Sequence, residues 1–274
     1  MSSVVSIHTL KGKVVGSGVI VADDLILTCA HVVNAAIGRQ QEDQTRPGAG
    51  DKVEIRFAAS PGVALRAKLN PEPDAWSPPP ATRAEGADLC VLKLEGKLPE
   101  KASIAQLEPV RFSKEFTVRV SGYPEDWNRR AELPQLDIAQ ATVLGAEGYL
   151  WLLRADPGTR LAATAKGKRV AGLIYTGFSG GPVQAGEAVV GLAAQVREEA
   201  KDATSYAIPA HNFPVRILAA HLIDSKQQKL PACVGSLRSY CRRNLLRSNI
   251  PMSPACVRRC LAGARTRSVP RPGA

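Results

Sequence analysis

Three residues in this chain have the side chains and the surroundings for acyl transfer. His31 ends the run Thr28-Cys29-Ala30-His31, Asp88 stands in Ala87-Asp88-Leu89, and Ser179 lies in Thr176-Gly177-Phe178-Ser179-Gly180-Gly181-Pro182. Acyl transfer needs a nucleophile, a base to take its proton and a carboxylate to orient that base. Ser179 supplies the hydroxyl. His31 acts as general base and then as general acid. Asp88 holds the imidazole tautomer and stabilises the imidazolium. A tetrahedral oxyanion also needs preorganised donors, and the amides of Gly177 and Ser179 can converge on one point. Glycine at 177 permits a backbone conformation that a side chain would obstruct.

The elements that must position these groups read as strands. Apolar runs bounded by turn residues cover Val4–Leu10, Val14–Val21, Leu25–Thr28, Val53–Phe57, Val63–Leu69 and Leu89–Leu94. A second set covers Phe116–Val120, Leu136–Val143, Tyr149–Leu153, Val189–Val196 and Ser205–Ile208. Gly16 to Val33 reads as a hairpin turned at Asp23-Asp24. Helical periodicity is scarce before residue 209, so the pattern implies barrels or sandwiches. Gly38–Asp51 and the Pro-rich Asn70–Gly86 cannot be central strands, because proline cannot donate to a ladder. Lys97–Pro109 is a joint between two halves of similar strand content. Ala210–Ile223 reads as a closing helix, with Pro214 tolerated near its start.

The order His, Asp, Ser, with AH, AD and GxSGGP around them, resembles the trypsin-like serine proteases. It is closer to the intracellular bacterial type and to the Deg (high-temperature-requirement) proteases than to digestive enzymes. Gly122-Tyr123-Pro124 and Tyr206-Ala207-Ile208-Pro209 add to the resemblance, which covers about residues 1–222. It implies an all-β fold of two six-stranded antiparallel barrels (about 1–105 and 110–209), a closing helix at 210–222 and the triad in the cleft between the barrels. It implies a serine endopeptidase without cofactor or metal, and a protein or peptide substrate. Counting along the family pattern puts Leu173 and Ile174 on one wall of the primary substrate pocket. Ala194, Val196 and Thr204 fall on the other. None is acidic, so a small or medium apolar residue is expected before the scissile bond rather than Lys or Arg. Digestive relatives carry an aspartate where this chain has Phe178, and an apolar ring cannot pair with a new N-terminus. Activation by N-terminal cleavage is therefore not expected. Cys29 precedes the histidine, whereas the family's pairing cysteine follows it, and no Deg-style peptide-binding module follows the body.

Gly177-Phe178-Ser179-Gly180-Gly181 also fits the G-x-S-x-G elbow of α/β-hydrolases, with Asp202 and His211 or His221 as nominal partners. That elbow needs a helix after the serine and β-α alternation, and Gly-Gly-Pro is a poor helix start. An inactive trypsin-like binding scaffold is the alternative of a different class. His8 reads as a surface or edge residue, and His211 and His221 as packing or solvent residues. Cys29 and Cys90 sit in apolar runs and read as buried thiols.

Residues 223–274 carry +10 of the formal +11, so the body of the chain is nearly neutral. This basic segment holds the other four cysteines, Cys233, Cys241, Cys256 and Cys260, at a spacing that matches no zinc pattern. It reads as disordered, as a small helical adaptor or as an out-of-frame extension. Nucleic-acid contact through it would need interleaved aromatics, and Tyr240 stands alone. The resemblance implies an effector protease in a bacterial defence or signalling system. Phe178, the missing secretory pattern and the basic segment point to restraint by a regulatory protein partner that engages this segment or the closing helix. The loop Arg169–Phe178 is expected to stay misarranged until that partner binds. The start MSSVVSIHTLKGK lacks the pattern of a secretory signal, and no apolar run reaches the roughly 18 residues that span a bilayer, so a cytoplasmic protein without membrane contact is expected.

Overall fold

The computed structural model describes residues 2–80, 88–124, 135–156, 162–163, 169–170, 177–196, 204–214 and 216–218. For 162–163, 169–170 and 195–196 it describes the backbone alone. The first half holds β1 (Val4–His8), β2 (Val14–Ala22), β3 (Leu25–Thr28), α1 (Ala30–Ala36), β4 (Lys52–Phe57), β5 (Ser60–Leu69), β6 (Trp76–Ser77) and β7 (Leu89–Glu95). The second holds β8 (Phe116–Gly122), β9 (Asp137–Glu147), β10 (Leu150–Ala155), β11 (Ala162–Ala163), β12 (Arg169–Val170), β13 (Pro182–Ala185), β14 (Ala188–Val196) and β15 (Thr204–Pro209). Among the described residues no helix is long and apolar enough to cross a membrane.

Each half closes on itself. In the first, the antiparallel order β3-β2-β1-β4-β5-β7 is closed by pairing of β3 with β7, and β6 extends the β5 side of β7. In the second, β10-β15-β14-β13-β8-β9 form a closed barrel. These are the two six-stranded antiparallel barrels that the sequence implied. The period-2 pattern decides which face is inside. In β4, Val53, Ile55 and Phe57 are buried while Lys52, Glu54 and Arg56 are only partly covered. One apolar cluster runs from the first barrel (Ile20, Leu27, Ile55, Leu92) into the second (Leu150, Val189, Leu192, Tyr206), so the two share a packed interface. The joint is stitched to both: Ala105 N–H donates to Ile20 O at 2.8 Å, and Gln106 and Glu108 bond with the backbone of Val189.

Four expectations change. The hairpin expected over Gly16–Val33 ends at Thr28; Ala30–Ala36 instead forms α1, seven residues long and buried over most of its surface, so it shows no amphipathic period. β13 had no counterpart among the expected strands, although Val183 in it is fully buried. The closing helix does not begin at Ala210. Ala210–Asn212 form a 3₁₀ turn, Phe213 is extended at ψ 155, and a helical turn follows at 216–218. The proline at 214 disfavours helical backbone at the residue before it, which breaks the helix there. The rest of that helix lies outside the described residues, as do residues 223–274. His8, expected at the surface, is 1% exposed. Its ring meets Ser6 Oγ at 2.8 Å and Gly12 O at 3.1 Å, and these partners make burial tolerable.

Trp151 fills the second barrel, 1% exposed and edge-on to Phe116 at 5.5 Å between ring centroids. Truncating a buried tryptophan to alanine costs about 3–5 kcal/mol. The Trp151 indole nitrogen has no partner among the described residues, so no hydrogen bond is lost with it. Trp151→Ala is expected to fall at the lower end of that range in a urea unfolding titration.

Candidate active site

The seam that closes the first barrel brings the candidate base to the candidate acid. Antiparallel pairing sets Thr28, three residues before His31, opposite Cys90, two residues after Asp88. Helix α1 starts with unsatisfied backbone donors and has no side-chain cap of its own at Cys29. Asp88 supplies what is missing. Its carbonyl accepts from Ala30 N at 3.3 Å and its Oδ1 from His31 N at 3.0 Å. Its Oδ2 then accepts from His31 Nδ1 at 2.6 Å. One carboxylate both caps the helix and orients the ring. Asp88 does so at φ +40°, a left-handed conformation that aspartate tolerates better than most residues but that still costs energy.

With Nδ1–H committed to Asp88, Nε2 is the basic nitrogen. Burial pushes the His31 pKa down. The charge and hydrogen bond of Asp88, with the charge of Glu42 added, push it up and prevail, so it lies above the usual histidine value. The ring keeps access to solvent, with 17% of the side chain exposed.

The Ser179 turn leads into β13, which pairs with β8 through Val183 opposite Val120. It packs against the first barrel on both sides of His31. Ser17 N–H donates to Ser179 O at 2.8 Å. A Cβ built on Gly180 would lie 3.2 Å from Cys29 N, and one on Gly16 would meet both Val32 and Ser179 O. Gly180 N–H donates to Ala193 O at 2.7 Å and Gly181 N–H to Phe178 O at 2.8 Å. Gly177 has φ +104°. Among the described residues no backbone acceptor takes the N–H of Gly177 or of Ser179. The Ser179 hydroxyl donates to Ala194 O at 3.0 Å, and no hydrogen bond joins it to His31. Ala194 is free to accept because it is the extra residue of a bulge in β14, between Ala193 opposite Ala207 and Gln195 opposite Tyr206.

His31 and Asp88 are in contact, and Ser179 and Gly177 share the turn beside them. Of the expected pocket residues, Ala194 touches the candidate nucleophile through its carbonyl. Thr204 opens β15, opposite Arg154. Val196 is described by its backbone, opposite Ser205. Leu173 and Ile174, with most of the loop 169–178, lie outside the described residues. Phe178 is 1% exposed in the core of the second barrel. Sequence reasoning assigned no role to Ser17 or Thr28, although Thr28 Oγ1 donates to Ser17 O at 2.7 Å beneath the turn. The signal was available: glycines flanking Ser17 inside a strand mark close backbone approach.

Other chemistry fits less well. Ser6 and His8 also form a serine–histidine hydrogen bond, but both are 1% exposed or less, and the ring's other nitrogen meets a carbonyl rather than a carboxylate. Cys29, His31 and Asp88 have potential metal-ligand atoms within 4.8 Å of one another. A metal there would have to displace the proton between His31 and Asp88. It would also need the Cys29 thiolate, which burial and then the Asp88 charge disfavour strongly. The same shift leaves Cys29 a poor nucleophile.

In a proton NMR titration, His31 is expected to titrate above an ordinary histidine. Replacing Asp88 with asparagine removes the opposing charge, so the midpoint should move to lower pH. An unchanged midpoint in Asp88→Asn would overturn the electrostatic account.

By sequence, no curated protein matches the chain. Solved structures share its fold at low identity. Kallikrein-related peptidase 10 is 16% identical with a TM-score of 0.52, covering 82% of this chain and 96% of that one. Human heparin binding protein is 15% identical with a TM-score of 0.51, covering 84% and 94%. The Rv3671c protease from M. tuberculosis in its active form is 18% identical with a TM-score of 0.46, covering 81% and 80%. The family described as the trypsin-like peptidase domain matches residues 16–192, a span that begins beside Ser17, takes in His31, Asp88 and Ser179 and ends inside β14. Because that match covers more than half of a chain already seen to fold as two closed barrels, the chain belongs to the trypsin-like peptidase domain family.

Proposed function

We propose that the chain is a serine endopeptidase that hydrolyses peptide bonds through an acyl-enzyme, with His31, Asp88 and Ser179 as its triad and the amides of Gly177 and Ser179 as its oxyanion hole. The observation that carries this reading is the Asp88–His31 clamp beside a turn whose two amides have no backbone acceptor among the described residues. Ser179 Oγ leaves the Ala194 carbonyl by a side-chain rotation and gives its proton to His31 Nε2 as it attacks the scissile carbonyl carbon. The carbonyl oxygen takes the negative charge, and the two amides stabilise it. As the intermediate collapses, His31 returns the proton to the leaving amine and the acyl group stays on Ser179. Water then enters, its oxygen adds to the acyl carbon as it gives a proton to His31, and His31 passes that proton to the departing Ser179 Oγ as the carboxylic acid is released. Apo geometry tightens in the substrate complex, so the resting position of the hydroxyl is compatible with this sequence.

The substrate in this reading is a protein or peptide in extended form, added along β14 by main-chain pairing. The primary pocket, lined by Leu173, Ile174, Ala194, Val196 and Thr204, takes a small or medium apolar residue. A role in bacterial defence or signalling follows from the resemblance. A regulatory partner recruited by the basic residues 223–274 belongs to the same proposal.

Ser179→Ala is expected to abolish peptide turnover by several orders of magnitude while leaving the thermal unfolding midpoint unchanged. A fluorophosphonate probe should label the wild type and not the variant. Persistent turnover in the variant, or loss of wild-type turnover to a chelator, would point to another enzyme class. Profiling with a peptide library should give cleavage after small or medium apolar residues; strong cleavage after Arg would overturn the pocket assignment.

A further inference from the structure

We propose that Ser17, on the first barrel, is a positioning residue for the oxyanion hole: its hydroxyl fixes the Gly177 carbonyl and with it the backbone of the glycine whose N–H is the donor. This rests on the serine-endopeptidase reading above. Ser17 is fully buried in β2, and all of its polar atoms are used. Its N–H donates to Ser179 O at 2.8 Å. Its Oγ donates to Gly177 O at 2.6 Å and accepts from Tyr123 N at 3.0 Å. Its carbonyl accepts from Thr28 Oγ1 at 2.7 Å. One residue of the first barrel therefore holds both ends of the Gly177–Ser179 segment of the second.

The two oxyanion donors are secured differently. The N–H of Ser179 shares a trans peptide with Phe178 O, which accepts from Gly181 N at 2.8 Å, so the turn orients that donor by its own hydrogen bond. Among the described residues no hydrogen bond within the turn supports the Gly177 donor in this way. At φ +104° its backbone has the wide freedom of glycine. The plane that follows Gly177 is held by the Ser17 hydroxyl and, more weakly, by Tyr123 N at 3.4 Å. With that plane fixed, only the φ and ψ of Gly177 itself separate it from the Gly177 N–H; without it, the plane can turn as well. A buried hydroxyl is costly unless it is bonded, and an alanine would fill the strand as well. The hydroxyl at position 17 is therefore explained by what it holds rather than by packing.

The test uses the full chain as wild type, Ser17→Ala and Ser17→Cys; the thiol of the last fills the serine's space but is a weaker donor. Titrating each to completion with a fluorophosphonate counts reactive sites, so kcat per site does not depend on the folded fraction. Outright loss of an oxyanion donor costs roughly 10²–10³ in kcat. Loosening one is expected to lower kcat about 10- to 100-fold in Ser17→Ala, with Ser17→Cys between it and the wild type. KM should stay near its wild-type value, and the acidic limb of the pH profile should not move, because His31 and Asp88 are untouched. Affinity for a peptide boronate, which forms a tetrahedral adduct on Ser179, should fall in step with kcat. A merely structural role would leave kcat per titrated site and boronate affinity unchanged in both variants, and that result would overturn the proposal. If the wild type itself neither cleaves peptides nor takes the fluorophosphonate, the endopeptidase reading fails first.

Discussion

The arrangement of the candidate site depends on a backbone-to-backbone approach at Gly180. This glycine stands at φ +81°, and a Cβ there would fall 2.2 Å from Ser17 O and 2.3 Å from Thr28 Oγ1. No other residue type permits that distance. Because the turn sits so low on β2 and β3, Ser179 O reaches Ser17 N. The Ala193 carbonyl meets both Gly180 N and the Cys29 thiol, at 2.7 and 3.4 Å. The spacing between the two barrels at the site is thus set by main-chain atoms.

The other fixed point is Asp88. A short helix of seven residues carries little stability of its own, and α1 has neither a side-chain cap nor an acidic residue in its first turn. The carboxylate that orients His31 also holds the turn from which His31 projects. The ring position and the helix register are therefore not independent. The left-handed backbone at Asp88 is the cost of placing one side chain where it can do both.

What the sequence made legible follows from the range of each signal. The strands came through because alternation within a run such as Val53–Phe57 is a local property. The residues of the candidate site were readable because their neighbours, Ala-His, Ala-Asp and Gly-Phe-Ser-Gly-Gly, are unusual in themselves. Helix α1 was not readable. Its cap lies 57 residues away in Asp88, and Val32 and Val33 favour a strand locally. His8 looked like an edge residue because no local pattern reveals that Ser6 and the Gly12 carbonyl will meet its ring. Ser17 was in plain view between two glycines, but its partners come from the other barrel, and single-strand periodicity carries no information about them.

Two long-range strand pairings bear on when the candidate site can assemble. Thr28 pairs with Cys90, and Val120 with Val183, across more than sixty residues of chain each. Contacts of that range form late and slowly, because loop-closure entropy must be overcome before they stabilise anything. Neither pairing suffices alone, since the histidine and the aspartate belong to one and the serine to the other. A half-folded chain, or one still emerging from the ribosome with only its first barrel closed, lacks the groups for catalysis in one place. On the reading proposed here, such a chain cannot cut its neighbours or itself. The topology delays the chemistry until the last long-range strand pair has formed.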